Sequence, residues 1–184
     1  MEKYLFKSER LGFRNWTEKD IPDMAKINAD SKVMEFFPSL PNKEETEQFV
    51  DRMVHQFSEN GFCYFAVDKL ENSEFIGFIG IAAQIFESEF TPCVDIGWRL
   101  AQKEWGKGYA SEGAKQCLEF AFNEVNLNEV ISICTENNSR SEKVMKKIGM
   151  KKIGEFVHPK LKDHSKYRNC ICYHIDKKMW QQSF

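Results

Sequence analysis

The amino-acid sequence predicts an α/β (α+β) fold, a mixed sheet covered by helices, antiparallel early and parallel around residues 94 to 134. Three observations carry this. Two apolar runs between residues 62 and 83 flank a polar turn; an extended run at 94–100 meets a helical one through Gly106 and Gly108; and a further apolar run follows that helix. A chain of 184 residues is expected to form a single domain, residues 1–184, that buries about 70% of the surface its unfolded form exposes.

The opening ERLGFRNWTEKDIPDMAKI reads as a strand with Leu11 and Phe13 inward, then a helix capped at Thr17 with Asp20 near the reciprocal position. A second helix follows NKEE, where Asn42 caps and Glu45 answers it, and Phe49, Met53 and Phe57 recur at helical spacing. VMEFFPSLP between the two is an apolar loop with two prolines. FCYFAVDKLENSEFIGFIGIAA gives two strands around a turn at Lys69 to Glu74, a hairpin. After the strand at 94–100 and the two glycines, a helix beginning at Tyr109 or Ala110 places Ala110, Ala114, Cys117, Leu118, Ala121, Phe122 and Val125 on one face. NEVISIC at 128–134 is the next strand, and strand, helix, strand at this spacing makes a parallel pair with a right-handed crossover. SRSEKVMKKIGM is a short helix with an S-x-x-E box at Ser139 and Glu142 and a terminal Gly149. Strands around 152–157 and 169–175 complete the chain.

Composition narrows the function. A formal charge of −2 gives no electrostatic basis for general nucleic-acid binding. The longest apolar run, FIGFIGIAA, holds two glycines and falls far short of the ~20 residues that span a bilayer, so no membrane partner is expected. Six cysteines without a C-x-x-C, and no signal-like start, point to free thiols and a cytoplasmic protein. Cys170, Cys172 and His174 alternate on one strand face, but neighbours on such a face stand ~6.5 Å apart at the backbone, whereas zinc needs donors at ~2.0 to 2.3 Å. No metal is expected, and Cys134 in its apolar run is assigned to the core.

The glycine junction suits an anion, because two glycines permit tight turning and a following helix aims free N–H groups at it. The triphosphate-loop pattern is absent. The dinucleotide fingerprint has only its first two glycines, with Glu129 at the wrong end of the next strand. What remains is a pyrophosphate of another cofactor cradled by the N–H groups of residues 104 to 110, or a plain turn. In the strand before it, period two sets Asp95, Gly97 and Arg99 on one face and Val94, Ile96, Trp98 and Leu100 on the other. Gly97 marks a bulge or a close approach by another backbone.

The stretch IGWRLAQKEWGKGYASEGAKQCLEFAF with NNSRSEKVMKKIGMKKIG resembles the GCN5-related N-acetyltransferases (GNAT), particularly their RimJ/RimL-like branch, which acetylates ribosomal-protein N-termini. SERLGFRNWTEKDIPDM and HPKLKDHSKYRNCICYHIDKKMW are similar to the same branch, so the resemblance spans nearly the whole chain. It implies a mostly antiparallel, six- to seven-stranded sheet with a splayed parallel pair and helices on both faces. It also implies acetyl-CoA as cofactor, its pyrophosphate at the loop that matches [QR]-x-x-G-x-[GA] through Lys103, Gly106 and Gly108. Lys103 departs from the usual first residue, which matters little where backbone N–H groups do the binding.

The residues that the resemblance assigns to acetyl-CoA are Ile96, Gly97, Trp98, Arg99 and Leu100 along the strand, and Lys103, Glu104, Trp105, Gly106, Lys107, Gly108, Tyr109 and Ala110 in the loop. Asn138 and Ser141 match the family's N-x-x-S, Asn138 contacting the pantetheine and Ser141 protonating the departing thiolate. A lysine-like amine titrates near pH 10, so a carboxylate has to take its proton, directly or through water. Asp95 is the first candidate, although the branch often has Glu there; Glu87 and Glu89 are runners-up that would also attract a cationic substrate, and all three are otherwise solvated carboxylates. Backbone N–H groups at Trp98 or its neighbours would hold the oxyanion. Phe36 and Phe37 either touch substrate or join the core. The acceptor is a protein N-terminus first and a small amine second; monomer and homodimer both stay open. A non-catalytic acetyl-CoA-binding module and a nicotinamide-dependent oxidoreductase are the competing readings.

Overall fold

The computed structural model describes residues 3–183. Strands β1 (Phe6–Lys7), β2 (Leu11–Arg14), β3 (Tyr64–Lys69), β4 (Phe75–Gln84), β5 (Cys93–Leu100), β6 (Glu129–Thr135), β7 (Lys151–Val157) and β8 (Asn169–Asp176) form one sheet. Its order is β1-β2-β3-β4-β5-β6-β8-β7. Neighbours are antiparallel except β5 and β6, which are parallel. The expected mixed class therefore holds with eight strands instead of six to seven. The extra one is β1, whose two residues are too few to show a period.

The helices are α1 (Ile21–Asn28), α2 (Lys43–Asn60), α3 (Tyr109–Asn123), α4 (Ser139–Lys147) and α5 (Lys177–Ser183). The sequence reading ended the chain on a strand and did not foresee α5, which brings Trp180 to 5.6 Å from the ring of Phe122. Phe78 of β4 meets Phe49 of α2, while its neighbour Ile79 meets Gly113 of α3, so helices cover both sheet faces. A Cβ at Gly113 would lie 2.4 Å from Cδ1 of Ile79, and the absence of one lets α3 seat directly on the sheet. Its buried stripe of Ala114, Cys117, Leu118, Ala121 and Phe122 follows the expected face. Among the described residues no helix is long and apolar enough to cross a membrane.

Between β2 and α1 the chain is pinned by a buried ion network. Thr17 donates its N–H (2.8 Å) and hydroxyl (2.9 Å) to the Asp20 carboxylate, starting the turn into α1. Arg14 grips Asp20 through Nη1 (2.8 Å) and Nη2 (2.7 Å), and grips Asp68 of β3 through Nε (2.9 Å) and Nη2 (2.8 Å). Burial pushes the Asp20 carboxyl up, but the bonds from Arg14 and Thr17 outweigh it and hold the group below the usual carboxylate range. Replacing Arg14 by Met leaves the buried Asp20 without its cation and Asp68 with Lys3 alone, at 2.9 Å, and is expected to lower the unfolding free energy by ~3–5 kcal/mol at pH 7 in urea titrations. Because Asp20 is depressed, that deficit should shrink as the pH falls below about 4. A deficit that stays constant down to pH 3 would contradict the assignment.

Candidate active site

Strands β5 and β6 are in register at Asp95↔Ile131 and then part, while β6 stays paired with β8 along its length. At the parting, the Ser132 hydroxyl donates to the Ile96 carbonyl at 2.9 Å. Main-chain groups of alternate residues face the same edge, so Trp98 turns its N–H into this gap. The Leu100 carbonyl, two residues further, accepts from the Trp105 indole at 2.9 Å. A cleft of about 650 Å³ occupies the gap. The bulge expected at Gly97 is absent, because β5 pairs with β4 without a break from Gly77↔Leu100 to Gln84↔Cys93. Gly97 answers a side chain instead of a backbone: a Cβ there would lie 3.1 Å from the Tyr64 ring.

One end of the cleft is the glycine loop. Gly106 (φ 75°) and Gly108 (φ 86°) occupy the left-handed region, which favours glycine, and Gly108 caps α3. The expected cradle of residues 104 to 110 has to be shortened. The N–H groups of Glu104 and Trp105 are spent on the carbonyls of Ala101 (2.9 Å) and Gln102 (3.1 Å) in a tight turn. Donors for a ligand begin at Gly106. The Lys103 side chain pairs with Glu74, away from the cleft, and the buried Glu104 carboxylate takes Lys107 at 3.0 Å. The side chains of these three are structural.

Along the cleft, α4 supplies Asn138 and Ser141, as the sequence suggests, together with a basic stripe of Arg140, Lys143 and Lys147. Ser139 does not cap this helix. Asn138, one residue earlier, accepts from the Ser141 N–H at 3.1 Å. Glu142 accepts from the Tyr173 hydroxyl at 2.7 Å instead of completing a box. An amide oxygen caps as well as a hydroxyl, and the chain takes the earlier position. Arg140 lies over the Trp105 ring (4.6 Å) and the Phe36 ring (5.3 Å) and pairs with Glu35 at 2.6 Å. Two left-handed glycines and a helix N-terminus at one end, with three cations along the same cleft, fit a pyrophosphate-bearing cofactor.

At the other end stands Asp95, half-buried. Its Oδ1 accepts from the Tyr64 hydroxyl at 2.5 Å and from Gln84 Nε2 at 3.0 Å. Burial pushes its carboxyl up to about 6 against the pull of both bonds. Burial, then the Asp95 charge, drives the Tyr64 phenol well above its ordinary value, so it stays a donor. Phe36 and Phe37 both line the cleft. Glu87 and Glu89 do not; both are exposed on the β4–β5 loop, from which Phe86 turns inward against His158, ring centres 4.5 Å apart.

Cys134, half-buried, packs against the core as expected and also lines the cleft; burial pushes its thiol up to about 12, which keeps it protonated. His174 meets Glu129 at 3.1 Å, and Cys170 and Cys172 are buried in the sheet. Tyr64, Gln84 and Arg140 escaped the sequence reading. For Arg140 a signal existed, since residues 140, 143 and 147 are all basic at helical spacing. For Tyr64 and Gln84 none did, because their place beside Asp95 depends on strand register.

A sheet parted at its parallel pair, with an anion-fitting loop at one end of the gap and a half-buried carboxylate at the other, defines a transferase that serves a phosphate-bearing donor. Residues 10–151 match the acetyltransferase (GNAT) domain model, and the chain belongs to that family of acetyl-CoA-dependent N-acetyltransferases. It is similar to the uncharacterized N-acetyltransferase YnaD of Bacillus subtilis, 33% identical over 81% of this chain and 84% of that one. Among solved structures, a GNAT-family acetyltransferase from Bacillus anthracis superposes with a TM-score of 0.77 at 29% identity, covering 94% of this chain and 98% of its own. The ribosomal-protein-S5-alanine acetyltransferase of Vibrio fischeri shares the fold, with a TM-score of 0.74 at 19% identity over 95% and 97% of the two chains.

Because the Tyr64 bond favours the ionised form of Asp95, Tyr64→Phe is expected to raise the Asp95 pKa further above 6. Carboxyl-carbon NMR titration checks this, and a fall or no change would refute the assigned hydrogen bond.

Proposed function

We propose that this enzyme passes the acetyl group of acetyl-CoA to a primary amine by direct attack, without a covalent enzyme intermediate, and that the amine is a protein N-terminus of ribosomal-protein type. The observation that carries the proposal is the half-buried Asp95, its carboxyl pushed up to about 6, in one cleft with the glycine loop. At neutral pH such a carboxylate is ionised yet basic enough to take a proton from an amine, directly or through one water. Bound acetyl-CoA supplies an activated thioester. The Trp98 N–H holds the acyl oxygen as it gains charge, and the Ser141 hydroxyl gives the leaving sulfur its proton. Donors from Gly106 to Ala110 and the basic stripe of α4 bind the phosphates, while Asn138, its Oδ1 committed to the Ser141 N–H, offers the pantetheine its amide N–H.

The shared fold with the ribosomal-protein-S5-alanine acetyltransferase supports the choice of acceptor. A small-molecule amine is the second reading, favoured by the modest cleft that donor and acceptor must share. The sheet extends across β1 to β8, past the matched residues 10–151, which supports taking residues 1–184 as a single domain.

Acetyl-CoA at 100 times its dissociation constant should stabilise the protein by about 2.7 kcal/mol, read as a rise in melting temperature, and NAD should not. Asp95→Asn and Ser141→Ala should each lower kcat by about 10²-fold or more, with acetyl-CoA affinity unchanged. Retained turnover in Asp95→Asn would remove it as the base, and a wild-type protein that binds acetyl-CoA but acetylates no amine would be the binding module.

A further inference from the structure

Arg99 shares its face of β5 with Asp95, four residues away, and with Gly97 between them. Its guanidinium lies over the Phe37 ring (4.6 Å) and the Phe78 ring (5.4 Å) and lines the cleft. Among the described residues its one hydrogen-bond partner is Asn28 Oδ1, 2.8 Å from Nη1. Nε is buried with no partner at all. Among the described residues no carboxylate pairs with this cation, and burial lowers its pKa to about 10. Arg14, by contrast, is saturated by two carboxylates in the same molecule.

The arrangement is fixed. Asn28 is buried and donates its Nδ2 to Thr46 Oγ1 at 3.0 Å, and Thr46 in turn donates to the Asn42 carbonyl at 2.9 Å. A partly desolvated cation without a counter-charge is costly to keep, and that cost is relieved when a ligand brings an anion. Aromatic rings cover the guanidinium, so what it presents is its N–H edge, a fork matched in shape to a carboxylate.

We propose that Arg99 is a specificity-determining residue of the acceptor site, receiving a carboxylate that the acceptor carries several atoms away from its reacting amine. This rests on the reading of the Asp95 end of the cleft as the place where the amine reacts. The Cα atoms of Asp95 and Arg99, four residues apart on a strand, are separated by ~13 Å. The amine and carboxylate of one acceptor therefore do not share a carbon. A dipeptide, an ω-amino acid, or a protein N-terminus with Asp or Glu among its first residues has the required chemistry. A polyamine sets a second cation against Arg99 and is rejected. The cofactor contact that the resemblance assigns to Arg99 involves the main chain of the strand, and its side chain points to the opposite face from Ile96 and Trp98.

The test compares matched acceptors on the wild-type protein, Arg99→Met and Arg99→Lys. One set is short: 6-aminohexanoate and Ala-Ala against their amides. The other is C-terminally amidated peptides starting Ala-Asp or Ala-Glu against Ala-Asn or Ala-Gln. Spermidine is the cationic control. In the wild type, kcat/KM should favour the carboxylate partner by at least about tenfold in one set, and the set in which it does so identifies the source of the carboxylate. In Arg99→Met the ratio should fall to near one while the melting shift with acetyl-CoA persists, and Arg99→Lys should recover part of the ratio. Wild-type protein without carboxylate preference in either set, a best rate with spermidine, or an Arg99→Met variant that keeps the preference overturns the proposal. A wild-type protein with no acetyl-CoA melting shift overturns the acetyltransferase reading beneath it, a distinct result.

Discussion

The parting of β5 from β6 is the constraint on which the rest of the molecule depends. Breaking a ladder strands backbone donors and acceptors, and each left unpaired and dry is costly. Here the carbonyls are provided for by side chains: Ser132 serves Ile96, and the Trp105 indole serves Leu100. The Trp98 N–H between them is left facing the gap. β5 tolerates the separation because its other edge is zipped to β4 over its full length. The neighbouring β4 is in turn clamped by α3, seated on Ile79 through Gly113. The gap thus has one rigid wall, and the glycine loop that follows β5 directly is placed by that same strand.

Within the cleft, charges are left less satisfied than elsewhere in the protein. Arg14, Asp20 and Asp68, with Lys3 on Asp68, form a set in which each group is paired with opposite charge. Asp95 has two hydrogen-bond donors but no cation, and Arg99 has one acceptor but no anion. Both therefore titrate away from their ordinary values, Asp95 upward and Arg99 downward, and burial is the leading cause for each. For Asp95 the linkage is the reverse of that for Asp20: its raised pKa means that folding binds a proton more tightly, so stability falls as pH rises from about 4 to about 6. The fold accepts that loss at a position that lines the cleft.

Local chemistry was legible in the sequence, and pairing was not. Period two put Asp95, Gly97 and Arg99 on one face without knowledge of any partner strand, and Asn42 and Glu45 named the start of α2. The N-x-x-S at Asn138 and Ser141 marked the right helix, although Asn138, not Ser139, proved to cap it. Tyr64 and Gln84 reach Asp95 across strand pairings that no window of sequence contains. The reason for Gly97 was missed on the same ground, since only the registers of β3, β4 and β5 together bring the Tyr64 ring over it. Glu87 and Glu89 failed for the opposite reason: loop residues carry no period, so nothing in the sequence said which of them turn inward, and it was Phe86 that did.

The energetics of the cleft's mouth differ from those of its walls. Val33 and Met34 anchor the α1–α2 loop in the core, but Phe37, three residues beyond Met34, is 42% exposed. The loop is tied to the opposite side through Arg140, which pairs with Glu35 and packs on Phe36 and Trp105. An exposed ion pair of this kind is worth about 0–1 kcal/mol, and a cation over an exposed ring about 0.5–1 kcal/mol. The walls, by contrast, rest on an unbroken strand ladder and a buried helix face. The same arginine that holds this loop also belongs to the basic stripe of α4 and packs on Trp105 beside the glycine loop, so its two sets of partners lie on either side of the gap. Rigidity is thus concentrated where reacting groups must be held, and the contacts that close the entrance are weak enough to exchange.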